Sequence, residues 1–188
     1  MMKKIFFTLL TYLVMHGAQA LELEGVKLAD RVEVSGQSLL LNGAGVRKKM
    51  IFDVYIAALY LPNKSNEATQ VLVAKGAKRL QLTMLRRVEG RALVQSLKDG
   101  LKDNISPTQY GAYAAKIAEL EKILLASKEA KEGDVIVLDV LPGQGLKVQL
   151  QERPLGLIQG DEFARDLLQI WLGGKPVQAD LKTKLLGG

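Results

Sequence analysis

The chain has no cysteine, and its single histidine, His16, sits in an apolar stretch at the N-terminus. Without cysteine there is no disulfide framework, no thiol redox chemistry and no thiolate ligand for zinc. With His16 inside a segment that reads as removable, the rest of the chain cannot assemble Ser-His-Asp or Cys-His catalysis. Acid–base chemistry would fall to Asp, Glu, Lys, Tyr or water. Aromatic residues make up only 5% of the chain, too few to interleave a basic stripe with stacking platforms, so nucleic acid is not an expected partner. No second carboxylate cluster accompanies Asp161-Glu162, which reads as a helix-capping pair, so no metal site is expected. No cofactor is expected either. Gly43-Ala44-Gly45-Val46-Arg47-Lys48 holds two glycines of a dinucleotide fingerprint without the third, and a strand follows where a helix should.

The formal charge is +6, and two of those positive charges, Lys3 and Lys4, open the chain. Ile5 to Met15 then forms an apolar core, and Ala18-Gln19-Ala20 a small-residue cleavage signature. The apolar stretch is far short of the roughly 20 residues needed to span a bilayer. Residues 1–20 are therefore predicted to be a signal peptide and residues 21–188 the folded domain. The expected destination is a bacterial periplasm. The remaining basic residues are scattered, with small clusters at Arg47-Lys48-Lys49, Lys78-Arg79 and Arg86-Arg87. A mildly basic surface of this kind is compatible with transient contact with anionic headgroups, a solvated surface being the default.

What is present is an alternation of strand and helix patterns with no repeat, linker or second domain. Leu21 to Val34 suits one or two edge strands. Gly43-Ala44-Gly45 reads as a tight turn that delivers Arg47 to the mouth of a strand ending at Leu61. In that strand Phe52, Val54, Ile56, Ala58 and Tyr60 are expected on one face, with Ile51, Asp53, Tyr55, Ala57 and Leu59 on the other. Ser65-Asn66-Glu67 starts a short helix through Ala74, which Gly76 stops. Arg79 to Leu85 alternates as a central strand.

Leu93, Leu97 and Leu101 form one stripe of a helix over Glu89 to Lys102. Ser106 and Pro107 open a second helix, with Tyr110, Tyr113, Ile117, Leu120 and Leu124 along its apolar side. Asp134 to Leu141 and Leu146 to Gln151 form a hairpin, and Leu155 to Ile158 a further strand. Asp161 caps a helix through Leu172 that buries Phe163, Leu167, Ile170 and Trp171, and Gly173-Gly174 ends it. Asp180 to Leu186 gives a last short helix. Strands first, helices inserted and a closing hairpin suggest an α+β fold with a largely antiparallel sheet. An arginine fixed at the end of a strand that also carries a tyrosine suits an anion receptor in an apolar cleft. The bland alternative is an arginine that caps a sheet edge or pairs on the surface.

The run from Asn42 to Leu61, NGAGVRKKMIFDVYIAALYL, resembles the signature of chalcone-isomerase-like proteins, and Gly160 to Gly187 is similar to that family's closing region. The resemblance implies an open-faced sandwich, a large antiparallel sheet backed by a layer of helices with a cleft between them. It is closer to the secreted bacterial branch than to the plant flavonoid enzymes. The family arginine maps to Arg47, which in the isomerases holds the developing anion and in fatty-acid-binding relatives a carboxylate. The threonine that orients water in the isomerases falls at Tyr55, and a tyrosine there matches the binding relatives.

The enzymes' Tyr and Asn pair has no counterpart from Arg86 to Asp103, and the polar residue of the closing helix is Ile170, followed by Trp171. The resemblance therefore implies non-catalytic binding of a fatty acid or similar amphipathic carboxylate, with no catalytic residue. Arg47, Tyr55, Ile170 and Trp171 are the expected ligand-binding residues. The alternatives are an intramolecular lyase acting on an enone and a scaffold or interaction module with an occluded cleft. The export reading has a direct consequence. The mature protein should begin at Leu21, as intact mass of protein recovered from the periplasm will show; a retained Met1 would contradict it.

Overall fold

A computed structural model describes residues 21–188; the predicted signal segment, with His16 and Ala18-Gln19-Ala20, lies outside the described residues. Two short strands, β1 (Leu21–Leu23) and β2 (Val26–Leu28), pair only with each other. Seven strands form one antiparallel sheet: β3 (Arg31–Val34), β4 (Gln37–Lys49), β5 (Phe52–Leu61), β6 (Lys78–Met84), β9 (Val135–Leu141), β10 (Gly145–Leu150) and β11 (Arg153–Gln159). Their order across the sheet is β11-β10-β9-β6-β5-β4-β3. The two-residue strands β7 (Val88–Glu89) and β8 (Glu129–Ala130) pair beside it. The predicted α+β open-faced sandwich is the observed architecture.

Helices cover one face. Between β5 and β6 comes α1 (Ala68–Val73), and between β7 and β8 come α2 (Gly90–Asn104), α3 (Pro107–Ala112) and α4 (Ala114–Leu125). The chain closes with α5 (Asp161–Leu172) and α6 (Ala179–Leu185). The sheet's helix-facing side chains, among them Tyr55, Leu80, Leu82, Met84 and Leu138, pack with Phe163, Leu167, Ile170 and Trp171 of α5 into the main core. A smaller cluster on the opposite face joins Ile56, Ala58 and Tyr60 to Leu28, Leu39 and Leu41.

Ser106 caps α3 as the sequence predicts, its hydroxyl accepting from Gln109 N at 3.1 Å, with Pro107 in the first helical position. The single helix expected beyond it is two, divided at Tyr113 (φ −90°, ψ 5°). Tyr113 meets Phe163 edge to face at 5.2 Å, and its hydroxyl donates to Asp166 Oδ2 at 2.8 Å. Contacts to α5, far along the chain, thus accompany the break. Asp161 is not the cap of α5: Gly160 (φ 111°) precedes the helix, and the Asp161 carboxylate instead accepts from Gly143 N at 2.8 Å.

The larger correction concerns Gly43-Ala44-Gly45, which is not a turn. It lies inside β4, and the chain reverses at Met50-Ile51. The glycines are there because α6 lies against the strand. A Cβ on Gly43 would come within 2.1 Å of the Lys184 carbonyl oxygen, and one on Gly45 within 3.0 Å of Leu181 and Lys184 side-chain atoms. Only residues without a side chain admit a helix so close.

Two bulges frame this stretch. Asn42 stands unpaired between Leu41↔Tyr60 and Gly43↔Leu59, and Val54 between Arg47↔Tyr55 and Lys48↔Asp53. Each extra residue reverses the alternation beyond it. Val54 therefore packs with the helix-side core and not with Ile56, Ala58 and Tyr60 as strict alternation predicts. Because backbone and not a flexible side chain blocks the Gly43 position, Gly43→Ala should cost about 1–3 kcal/mol. Urea denaturation should show a lowered midpoint with an unchanged slope. Wild-type stability would contradict the packing argument.

Candidate functional site

The register of β4 on β5 places Arg47 directly opposite Tyr55, both on the helix side of the sheet. From above, α5 lowers Trp171 onto Tyr55, and the indole Nε1 donates to Tyr55 Oη at 3.0 Å. Arg47 is half-buried beside them. Its Nη1 donates to the Lys48 carbonyl and to Gln178 Oε1, the latter at 3.3 Å. Gln178, the residue before α6, fastens this corner to β4, accepting from Lys48 N at 2.8 Å and donating to Val46 O at 3.3 Å.

Behind the tyrosine lies an apolar cleft between sheet and helices. Tyr55, Leu82, Leu97, Ile170, Trp171 and Val177 are among its walls. The space left between them is about 30 Å³, room for one or two waters. Ile170 is held there by the crossing of α2 and α5: a Cβ on Gly100 would come within 2.8 Å of Ile170 Cγ2.

Of the four predicted residues, Tyr55, Ile170 and Trp171 line one cleft, and Arg47 stands outside its lining, across the strands from the tyrosine. Two further polar contributors escaped sequence reading. Ser96 is the one hydroxyl that α2 brings to the cleft; its place between Leu93 and Leu97 on the helical stripe was the available signal. Gln178 carried none, because its role is fixed by a strand some 130 residues earlier. Asn104, one residue beyond the Arg86 to Asp103 stretch that holds no Tyr or Asn, is committed elsewhere. It donates to Gly100 O and Lys175 O and accepts from Lys175 N.

Burial is the main reason the Tyr55 hydroxyl is held above the ordinary tyrosine range; the Trp171 N–H and the nearby Arg47 guanidinium pull the other way without overcoming it. The phenol thus stays neutral in ordinary buffers. It receives the indole hydrogen and keeps its own to donate. With the indole N–H spent on Tyr55, the guanidinium and the phenol O–H are the donors beside an apolar slot, an arrangement able to receive an anion. Among the described residues no three acidic side chains gather to hold a metal ion.

A curled antiparallel sheet with helices over one face, and an arginine and a tyrosine paired beneath them, defines the class to which this chain conforms. The family model described as chalcone isomerase-like matches residues 20–187, and the protein belongs to that family. A crystal structure of a fatty-acid binding protein from Arabidopsis thaliana, AtFAP1, is similar with a TM-score of 0.68 at 16% identity, over 86% of this chain and 92% of that one. At that identity the likeness is one of fold. No curated protein matches the sequence.

Three buried phenols give the fold an alkaline limit. Burial raises Tyr55, and burial first of all raises Tyr60 and Tyr113 to about 12, with the hydrogen bond to Asp166 adding to the shift at Tyr113. A folded-state pKa above the unfolded value of about 10 means that the fold keeps protons the unfolded chain releases. This contribution to stability is complete below about pH 10 and is lost as pH rises toward 12. Denaturation midpoints should fall over that interval while phenolate absorbance lags behind that of the unfolded chain. A midpoint independent of pH there would contradict the assignment.

Proposed function

We propose that the protein is an exported, non-catalytic binder of a fatty acid or similar amphipathic carboxylate. The observation that carries this reading is that Tyr55, bonded to Trp171 in the wall of an otherwise apolar cleft, stands directly across the strands from Arg47. The carboxylate takes the Tyr55 hydroxyl hydrogen and the charge of Arg47, and the tail runs between the sheet and α2. The shared fold with a plant fatty-acid binding protein supports the same reading. The chain's N-terminal pattern supports export to a periplasm.

Against isomerase chemistry stand the residues themselves. Ring closure needs a positioned water as well as a proton donor beside the stabilised anion. Tyr55 keeps a hydrogen to donate, but a tyrosine and an amide of the helical layer are committed. Asn104 is spent on the chain after α5, and Tyr113 on Asp166. A second reading, an occluded scaffold that binds no small ligand, is favoured by one specific observation, the 30 Å³ of free space. Ligand sites for drug-sized molecules measure about 300–1,000 Å³. Binding therefore requires α2 to move away from the sheet, and part of the interaction energy goes into that opening.

Calorimetry of the mature chain with a fatty-acid series and the matching methyl esters tests the proposal. The acids should bind and the esters should lose most of the affinity. Arg47→Ala should weaken binding by about 2–5 kcal/mol, and Tyr55→Phe by about 1.5–3 kcal/mol. Arg47→Lys should recover part, lacking the planar two-pronged contact. Equal affinity for acid and ester would remove Arg47 from the site. No heat and no binding with any chain length would favour the occluded scaffold.

A further inference from the structure

The turn between β4 and β5 breaks a local rule in a way the fold does not require. Lys49 pairs with Phe52, leaving Met50 and Ile51 as a two-residue hairpin loop. Such loops favour Asn-Gly or similar pairs, because they call for positive φ. Here Met50 holds φ 55° with a full side chain. Met50 is 90% exposed, Ile51 87% and Phe52 48%. Two adjacent apolar side chains thus stand almost wholly in water at a turn where a polar pair would be the better local choice. Rules broken without structural gain mark functional positions.

Cations flank this apolar tip: Lys48 and Lys49 on β4, Arg86 and Arg87 on the chain before α2. Lys48 is paired with Asp53 and Arg87 with Glu129. Among the described residues Lys49 and Arg86 have no carboxylate partner, and the Arg86 guanidinium lies 4.2 Å above the Phe52 ring. Beside the tip is a shallow cleft of about 350 Å³, with Lys49, Met50, Phe52, Val54 and Arg86 among its walls and one carboxylate, Glu89, at its α2 side. An apolar projection with uncompensated cations at its base suits a bilayer surface, where the side chains enter the acyl boundary and the cations meet anionic headgroups.

We propose that the β4–β5 hairpin tip, Met50-Ile51-Phe52 with Lys49 and Arg86, docks the protein on membranes containing anionic lipid. The patch adjoins the start of α2, the helix whose Leu93 and Leu97 cover the inner cleft. Docking therefore places the cleft's covering helix at the bilayer surface. The proposal concerns the tip alone and stands whatever the cleft holds.

The test is flotation of the chain comprising residues 21–188 with vesicles of phosphatidylcholine, alone or mixed with phosphatidylglycerol. The protein should float with the anionic vesicles and less so at high salt. Met50→Asp with Ile51→Asp should lower the bound fraction about tenfold, and Lys49→Glu with Arg86→Glu should do likewise. Lys49, Met50 and Ile51 are exposed and Arg86 is half-buried against Phe52, outside the core, so circular dichroism should be unchanged. Calorimetry with a soluble fatty acid reads the cleft separately, so failure of one reading does not imply failure of the other. Absence of flotation with any vesicle, or equal flotation of wild type and both variants, would overturn the proposal. A dimer in sedimentation that the aspartate variant abolishes, with no vesicle binding, would overturn it in favour of a second copy of this chain.

Discussion

Asn42 has no partner across β5, and every residue of β4 after it points to the face opposite the one strict alternation would give. That single inserted residue puts Arg47 on the helix side, opposite Tyr55, and turns Gly43 and Gly45 toward α6. The bulge is fixed by the asparagine itself. Its amide donates to Ser65 O at 2.9 Å and Leu185 O at 2.7 Å, and its carbonyl accepts from Ser65 N at 2.7 Å. A buried side chain that satisfies three backbone groups holds one register against a slip, which would leave all of them unpaired. The same side chain ties the end of α6 to the sheet, so the helix whose preceding residue engages Arg47 is set by the residue that aims Arg47.

Once the arginine faces the helices, its neutral neighbour matters as much as its charge. A phenolate beside it would supply the missing anion internally and close the receptor to others. Burial prevents that by keeping Tyr55 protonated. The indole of Trp171 then has a neutral oxygen to donate to, and the phenol hydrogen stays available. Chains of donors and acceptors of this kind strengthen one another in a low-dielectric interior. The apolar part of the site is held with less commitment: Leu93 and Leu97 of α2 are only partly buried. On the proposed reading, the polar end is built and the tail space is latent.

Much of this was legible in the sequence because it depends on neighbours along the chain. The stripe of α2, the Ser106-Pro107 start and the hairpin of β9 and β10 follow from period and capping alone. The glycines of β4 mimic a turn locally but answer a long-range constraint: their neighbours are Leu181, Lys184 and Leu185, not each other. The bulges were invisible for the same reason, since the bonds of Asn42 reach 23 and 143 residues away. Arg47, Tyr55, Ile170 and Trp171 are candidates from pattern and resemblance, and the fold brings the last three to one cleft. Their geometry, with the arginine across the strands from the tyrosine and Gln178 beside the arginine, needed the fold.

On the proposed reading, a carboxylate held by Arg47 and Tyr55 opens a cleft that is closed when empty. Native mass spectrometry of the mature chain, incubated with one equivalent of a long-chain fatty acid beside the Arg47→Ala variant, tests it most directly. The account predicts a complex of one fatty acid per wild-type chain and bare protein for the variant. Bare protein in both samples, or equal complex in both, would contradict it.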